Sequence, residues 1–324
     1  MDASAWPDGP LLAGAVSIVM GGSTGIGLAT ARCLARHGSA VEIAAIDEAS
    51  VTAAVGQLRA DGHEAHGTVL DIARPEQIEG FFADLATRHE RVSILVNSAG
   101  VQRYGTAEST PVEVWDEVLD VNVRAMFLTV KHTVPLMRRN GGGAIVNVSS
   151  AQATASQQNV VAYTASKGAI VAMTRAMAVD YAPEGIRVNS VSPGSVDTPM
   201  LRQSARDAGD EDTVIAQWGA NHPLGRVGTP AEVADAILFL VSPLSGFVTG
   251  TELRVDGGLL AAVAVPAPES PVPESPAPES PAPESTVPES PVEDDFIDAG
   301  DDKCFLRHCL TYGDRAQNER GWFG

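Results

Sequence analysis

Tyr163 and Lys167 stand four residues apart in Y-T-A-S-K, and Ser150 lies thirteen residues upstream. A phenol exchanges protons poorly near neutrality, because its reference pKa is about 10. A lysine at i+4 shares the helix face, and its positive charge favours the phenolate. A serine hydroxyl can donate a hydrogen bond to a carbonyl oxygen on which negative charge develops. Together the three groups suit proton transfer to or from a hydroxyl while another agent moves a hydride. The Y-x-x-x-K spacing is common on helices, so its meaning depends on the elements around it.

Those elements begin near the N-terminus. Ala15 to Met20 is a short apolar run, as expected of a buried parallel strand. Gly21, Gly25 and Gly27 follow in G-G-S-T-G-I-G, and a helical pattern runs from about Ile26 to His37. A strand, a glycine turn and a helix N-terminus form a phosphate site, because main-chain N–H groups point at the anion and glycine lets it approach. Further strands are expected at Ala40–Ala45, Gly67–Asp71, Ser93–Asn97, Ala144–Ser149, Arg187–Ser192 and Glu252–Val255, with helices between them. This alternation predicts an α/β fold, a doubly wound parallel sheet in a single domain. Ligands bind beyond the carboxyl ends of such strands. Gly21–Gly27, Asn97–Gly100, Ser150 and Pro193–Thr198 all fall there. Glu42 is a charge inside a strand expected to be buried, where it needs a partner.

Residues 12 to 258 resemble a classical short-chain dehydrogenase/reductase, with its motifs in order: Gly21-xxx-Gly25-x-Gly27, Asp71, Asn97-Ser98-Ala99-Gly100, Asn122, Asn147-Val148-Ser149-Ser150, Tyr163-xxx-Lys167, Pro193-Gly194-Ser195-Val196-Asp197-Thr198 and Val255-Asp256-Gly257-Gly258. The resemblance implies a Rossmann-like sheet and an NAD(P)-dependent oxidoreductase acting on CH–OH groups. It implies a catalytic set of Asn122, Ser150, Tyr163 and Lys167. Tyr163 would be the acid/base and Ser150 would hold the substrate oxygen. Lys167 would lower the tyrosine pKa and bind the nicotinamide ribose, and Asn122 would position a relay water. Cofactor contacts are expected from Gly21, Ser23, Thr24, Gly25, Ile26, Gly27, Asp71, Ile72, Asn97, Ala99, Gly100, Tyr163, Lys167, Pro193, Gly194, Val196 and Thr198.

The acid that usually ends the second strand is replaced by Ala45, and no cation stands there either. Thr24 occupies a turn position where many NADP users carry Arg or Lys, and Asp47 and Glu48 would repel a phosphate. NAD is favoured and NADP stays open. Met20 and Ser98 also depart from the family pattern. Substrate contacts are expected from Gln102, Gln152, Gln157 and Met200, with Arg103, Tyr104 and Trp218 nearby. Their polarity suits a sugar, polyol or hydroxy-acid. Asp207 to Asp212 reads as a mobile acidic lid. The alternatives are a 3-oxoacyl-[acyl carrier protein] reductase using NADPH, and a cofactor-impaired scaffold with a tethered peptide. The net charge of −19 disfavours an acidic carrier.

The seven histidines form no ligand cluster, and His63 and His66 are expected in a loop, so no metal is expected. Cys33 is the one cysteine before the tail, which suits the cytoplasm. The N-terminus lacks a basic signal-like region, and no membrane or nucleic-acid partner is expected. Family members are dimers or tetramers, and an apolar stripe of Ala169, Ile170, Met173, Ala176 and Met177 reads as a subunit contact or as core. Residues 1–11 form an extension, 12–260 the domain, 261–295 a linker and 296–324 a terminal segment. From Pro266 a five-residue unit repeats (P-A-P-E-S, P-V-P-E-S), which predicts an extended, disordered spacer. Beyond it, Cys304, His308, Cys309 and Trp322 read either as part of a peptide for a protein partner or as an unstructured appendage.

Overall fold

The computed structural model describes residues 9–262. The expectations for the proline-rich spacer and the terminal segment lie outside the described residues. Seven strands form one sheet in the order β3-β2-β1-β4-β5-β6-β7, with every neighbouring pair parallel. They are β1 (Val16–Met20), β2 (Ala40–Ala45), β3 (Ala65–Val69), β4 (Ile94–Asn97), β5 (Gly143–Val148), β6 (Ile186–Pro193) and β7 (Glu252–Val255). The main helices are α1 (Gly25–Arg36), α2 (Glu48–Ala60), α3 (Pro75–Arg88), α4 (Val112–Leu119), α5 (Ala125–Asn140), α6 (Val161–Tyr181), α7 (Pro199–Ala208), α8 (Glu211–Ala220) and α9 (Pro230–Val241). Among the described residues, no helix is long and apolar enough to cross a membrane.

Strand alternation sends residues to two cores, as the two-residue side-chain period requires. Val19, Ile43, Val96 and Val146 pack with Leu34, Leu58, Ile237 and Leu240 on one face. Ile18, Met20, Leu95 and Ile145 pack with Ile78, Phe81, Val134 and Met137 on the other. Met20 is therefore fully buried in apolar surroundings. From the stripe on α6, Ile170 and Met177 belong to the core, whereas Ala176 is exposed.

The register aligns the carboxyl ends. Met20 is level with Ala44 and Asn97, Asn97 with Asn147, and Asn147 with Ser190. The sheet reverses direction of growth between β1 and β4, and the crevice at such a switch point is where ligands bind.

The structure corrects one strand boundary, gives Glu42 its partners and shows the local form of the acidic stretch. β3 begins two residues earlier than expected and contains His66. Its Gly67 lies where a Cβ would come within 2.6 Å of Val51 and 2.7 Å of Val55, so α2 can cover this edge strand closely. Glu42 is 1% exposed and paired: Arg88 donates to it at 3.0 and 3.3 Å, and His89 Nε2 lies 2.7 Å from it. That carboxylate holds the Arg88 guanidinium above its ordinary range. The acidic stretch Asp207–Asp212 is helical on both sides of a short turn. Asp210 caps α8 by accepting from Thr213, and Glu211 pairs with Arg202 and Arg206. Acids at a helix N-terminus are favourable there.

Candidate active site

One cleft of about 1300 Å³ opens along the carboxyl ends of the strands. Its central wall is the turn between β1 and α1. Gly21 has φ +75°, and a Cβ there would lie 2.7 Å from the main chain of Ala99. A Cβ at Gly27 would overlap the Gly21 carbonyl. The turn thus sits tightly against β4 and against its own helix. Thr24 is the N-cap of α1 but makes no side-chain cap bond, which leaves first-turn N–H groups facing the cleft. The Ser50 hydroxyl donates to Ser23 Oγ at 3.0 Å and ties the turn to α2. A closely packed glycine cradle at an uncapped helix N-terminus fits a dinucleotide pyrophosphate.

Tyr163 and Lys167 reach the cleft from the first turns of α6, beside Ser150 at the end of β5. Ser149 Oγ donates to the Lys167 carbonyl at 2.9 Å and pins α6 to β5. Lys167 Nζ donates to the Val148 carbonyl at 3.0 Å and lies 5.3 Å from the centre of the Tyr163 ring. Gln152 N–H donates to Ser150 Oγ at 3.1 Å, so the serine proton is left to point elsewhere. Burial dominates the protonation of this group. It pushes the Tyr163 phenol up to about 12, with the Ser150 hydroxyl pulling the other way and Tyr104 adding to the rise. It pushes the Lys167 ammonium down to about 8. The phenol is raised where the spacing predicts a lowering by Lys167, and the group that pulls it down is Ser150; the tyrosine is a neutral proton donor at pH 7.

Asn122 lies in a π-helical turn, Asp120–Arg124, between α4 and α5. Such turns are rare and recur at functional sites. Its side chain is spent inside the protein, with Val101 N–H, Val101 O and Ser166 Oγ as partners. It does not line the cleft, and its side-chain amide is engaged by Val101 and Ser166.

Asn97 is placed differently from its expected cofactor contact. It is 3% exposed and belongs to a polar ladder across the sheet. It donates to Asn147 at 3.0 Å and accepts from Thr129 at 2.8 Å, and Asn147 donates to Thr174 at 3.0 Å. Its neighbours Ser98, Ala99 and Gly100 line the cleft instead. Asp71 and Ile72 line the far end, where the Asp71 carboxylate accepts from Ala73 N–H. Ser23, Thr24, Gly25, Ile26, Pro193, Gly194, Val196 and Thr198 are all on the wall. Thr198 caps α7, and its methyl carbon would meet a Cβ at Gly25 at 3.3 Å.

Gln102, Gln152, Gln157 and Met200 all line the mouth, as do Tyr104 and Trp218. Arg103 does too, but its guanidinium is held by Glu117. Sequence reasoning missed Ser50, Asn221, His222, Leu259 and Leu260, which also line the cleft. None belongs to a motif. The last two follow β7 in a turn closed by Asp256, which accepts from Gly258 and Leu260 N–H. Among the described residues, no cluster of His, Cys, Asp and Glu could hold a metal.

A family model described as enoyl-(acyl carrier protein) reductase matches residues 21–260. Cyclopentanol dehydrogenase from Comamonas sp. is 40% identical over 246 residues, covering 76% of this chain and 97% of that protein. Among solved structures, the Thermoplasma acidophilum aldohexose dehydrogenase is 35% identical with a TM-score of 0.73, over 80% of this chain and 99% of its own. A candidate NAD(P)-dependent gluconate 5-dehydrogenase from Beutenbergia cavernae, solved with NADP bound, is 34% identical with a TM-score of 0.73, over 78% of this chain and 100% of its own. Matches of this extent, on a fold and cleft of this form, make the chain a member of the short-chain dehydrogenase/reductase family.

Proposed function

We propose that the protein interconverts a secondary alcohol and its ketone, with Tyr163 carrying the proton. The observation that carries this reading is the placing of Tyr163, Ser150 and Lys167 in the same cleft as the glycine cradle. When bound, a nicotinamide dinucleotide supplies the hydride for reduction or accepts it in oxidation. Gly21–Gly27 would hold its pyrophosphate, and Pro193–Thr198 and Lys167 would border its reactive end. In reduction, the neutral phenol donates its proton to the substrate oxygen, which the free Ser150 O–H also binds. The Lys167 ammonium then offsets the charge left on the phenolate. Oxidation runs these proton movements in reverse.

NAD is the favoured cofactor. Among the described residues that line the cleft, the cations are Arg103, paired with Glu117, and Lys167, buried beside the tyrosine. At the end of β2 the wall carries Ala45, then Ile46 and Asp47, whose carboxylate Ser50 N–H holds below its usual range. A 2′-phosphate would meet negative charge there. Gln102, Gln152 and Gln157 at the mouth suit a substrate with further hydroxyl or carboxylate groups, such as a sugar, polyol or hydroxy-acid. A second reading is an NADPH-dependent ketoreductase acting on an acyl carrier; the acyl-carrier part of the family model's description supports it, as does 40% identity over 254 residues to a candidate ketoacyl reductase of the monensin polyketide synthase from Streptomyces virginiae. A homodimer or homotetramer is consistent with the exposed Phe127 on α5 and Val179 on α6.

The decisive experiment pairs nicotinamide fluorescence titration with turnover on a panel of cyclic alcohols and sugars, using Tyr163→Phe as the comparison. The variant should bind NADH like the wild type and lose about 10²–10⁴-fold in turnover. NADPH preference would support the acyl-carrier reading. Binding of neither dinucleotide by the wild type would refute both.

A further inference from the structure

His222 sits between the three segments that close the reactive side of the cleft. It is 3% exposed and follows α8. Its Nδ1 lies 2.9 Å from the Trp218 carbonyl, which can only accept, so Nδ1 carries the proton. Its Nε2 accepts from Ser195 N–H at 3.1 Å, so Nε2 is bare. The two main-chain partners thus specify one neutral tautomer. Space has been left for the ring: a Cβ at Gly194 would lie 2.7 Å from Nε2, and one at Gly257 would lie 3.4 Å from the His222 Cβ. The nearby acid Asp256 spends its carboxylate on Gly258 and Leu260 N–H. The imidazole therefore joins the loop after β6, the end of α8 and the turn after β7, and each of these lines the cleft.

The sheet order says which part of a ligand this junction serves. The glycine cradle follows β1, the Tyr163–Ser150 pair stands at β5, and the loop held by His222 follows β6 on the far side of β5. A dinucleotide whose pyrophosphate lies on the cradle must reach Tyr163 with its reactive end. Its adenosine half must then extend toward β2 and β3. The Ser195 end of the loop, which His222 holds, borders the reactive half, while Thr198 at its other end meets the cradle at Gly25.

We infer that His222 is a positioning residue for the nicotinamide half of the cofactor, acting through the Ser195 N–H bond. This rests on the dinucleotide reading above. The test measures binding of NADH and, separately, of ADP-ribose, which lacks the nicotinamide, to the wild type, His222→Ala and His222→Gln. Glutamine places an acceptor near the Nε2 position. His222→Ala should bind NADH about tenfold more weakly, the scale of one lost hydrogen bond, and bind ADP-ribose within about twofold of wild type. His222→Gln should recover most of the NADH affinity. Unchanged NADH affinity in His222→Ala would overturn the inference. Equal losses for NADH and ADP-ribose, or no recovery with glutamine, would also overturn it, by reducing His222 to a general packing role. A wild type that binds ADP-ribose but neither NADH nor NADPH would instead overturn the dinucleotide reading, and the inference with it.

Discussion

Asn122 pairs with the main chain of Val101 at both ends of its amide: Val101 N–H donates to Oδ1 at 2.8 Å, and Nδ2 donates to the Val101 carbonyl at 3.0 Å. The second Nδ2 proton goes to Ser166 Oγ at 3.0 Å. The π-helical turn thereby clasps the loop after β4 and the helix that carries Tyr163. Asn122→Ala strands these partners in a site that is 1% exposed. It should cost about 2–3 kcal/mol of unfolding free energy, whereas Ser166→Ala, which removes the Asn122 bond and the local bond to the Tyr163 carbonyl, should cost about 1–2 kcal/mol. Urea denaturation of both variants checks the ratio. Equal small losses would show that the clasp is not under tension from burial.

The depressed pKa of Lys167 has a stability signature. Its value falls from 10.5 to about 8 through burial. The fold therefore favours the neutral amine, a stabilisation lost as pH falls through about 8 and growing as pH rises from there to 10.5. Tyr163 works in the opposite sense at higher pH, since its stabilisation is full below 10 and lost as pH rises toward about 12. Between pH 7 and 9 only the lysine acts. The stability of the wild type relative to Lys167→Met should rise by about 1 kcal/mol over that interval. A flat difference would mean that the ammonium is solvated.

Glu42 makes a different prediction. The carboxylate is almost wholly buried, and its partner Arg88 is 33% exposed. Arg88→Leu leaves the carboxylate with His89 alone. The expected loss is about 2 kcal/mol, below the ~3–5 kcal/mol for fully buried pairs because Arg88 is partly hydrated. The double variant Glu42→Leu/Arg88→Leu should recover most of it, since replacing a buried pair by apolar groups is often neutral. Thermal denaturation of the singles and the double gives the coupling directly. Additive losses would show that the two charges are independent.

The sheet was legible because its strands are short apolar runs that alternate with helices, and the cleft because its glycines and Y-x-x-x-K fall at strand ends. What sequence could not show was direction. Asn97 ends β4, but the pleat turns its side chain into the Asn147–Thr174 ladder while Ser98 to Gly100 line the cleft. Burial is likewise a property of the assembled fold, and it raises the Tyr163 phenol although the spacing places a lysine nearby. Gly67 opens the expected third strand, but the fold places it mid-strand, where its missing Cβ leaves space for Val51 and Val55. His222 meets Ser195 across 27 residues and no local pattern announces it.

Two glycines of the cleft should separate fold from chemistry. At Gly21 the backbone is left-handed and a Cβ would strike the Ala99 main chain, so alanine strains the turn and displaces β4. Gly21→Ala should lose both stability and dinucleotide binding. Gly100 has no such conformational demand. A Cβ there would lie 3.2 Å from Asn122 Oδ1 and 3.6 Å from Lys167 Nζ, between the clasp and the buried ammonium. Gly100→Ala should keep its melting temperature within a few degrees and lose less NADH affinity than Gly21→Ala. Displacement of a catalytic group by a fraction of an ångström should still lower turnover by about tenfold. Calorimetry, fluorescence titration and steady-state kinetics on the two variants distinguish these outcomes. If Gly100→Ala turned over at the wild-type rate, the position of Lys167 would not depend on the gap beside Asn122.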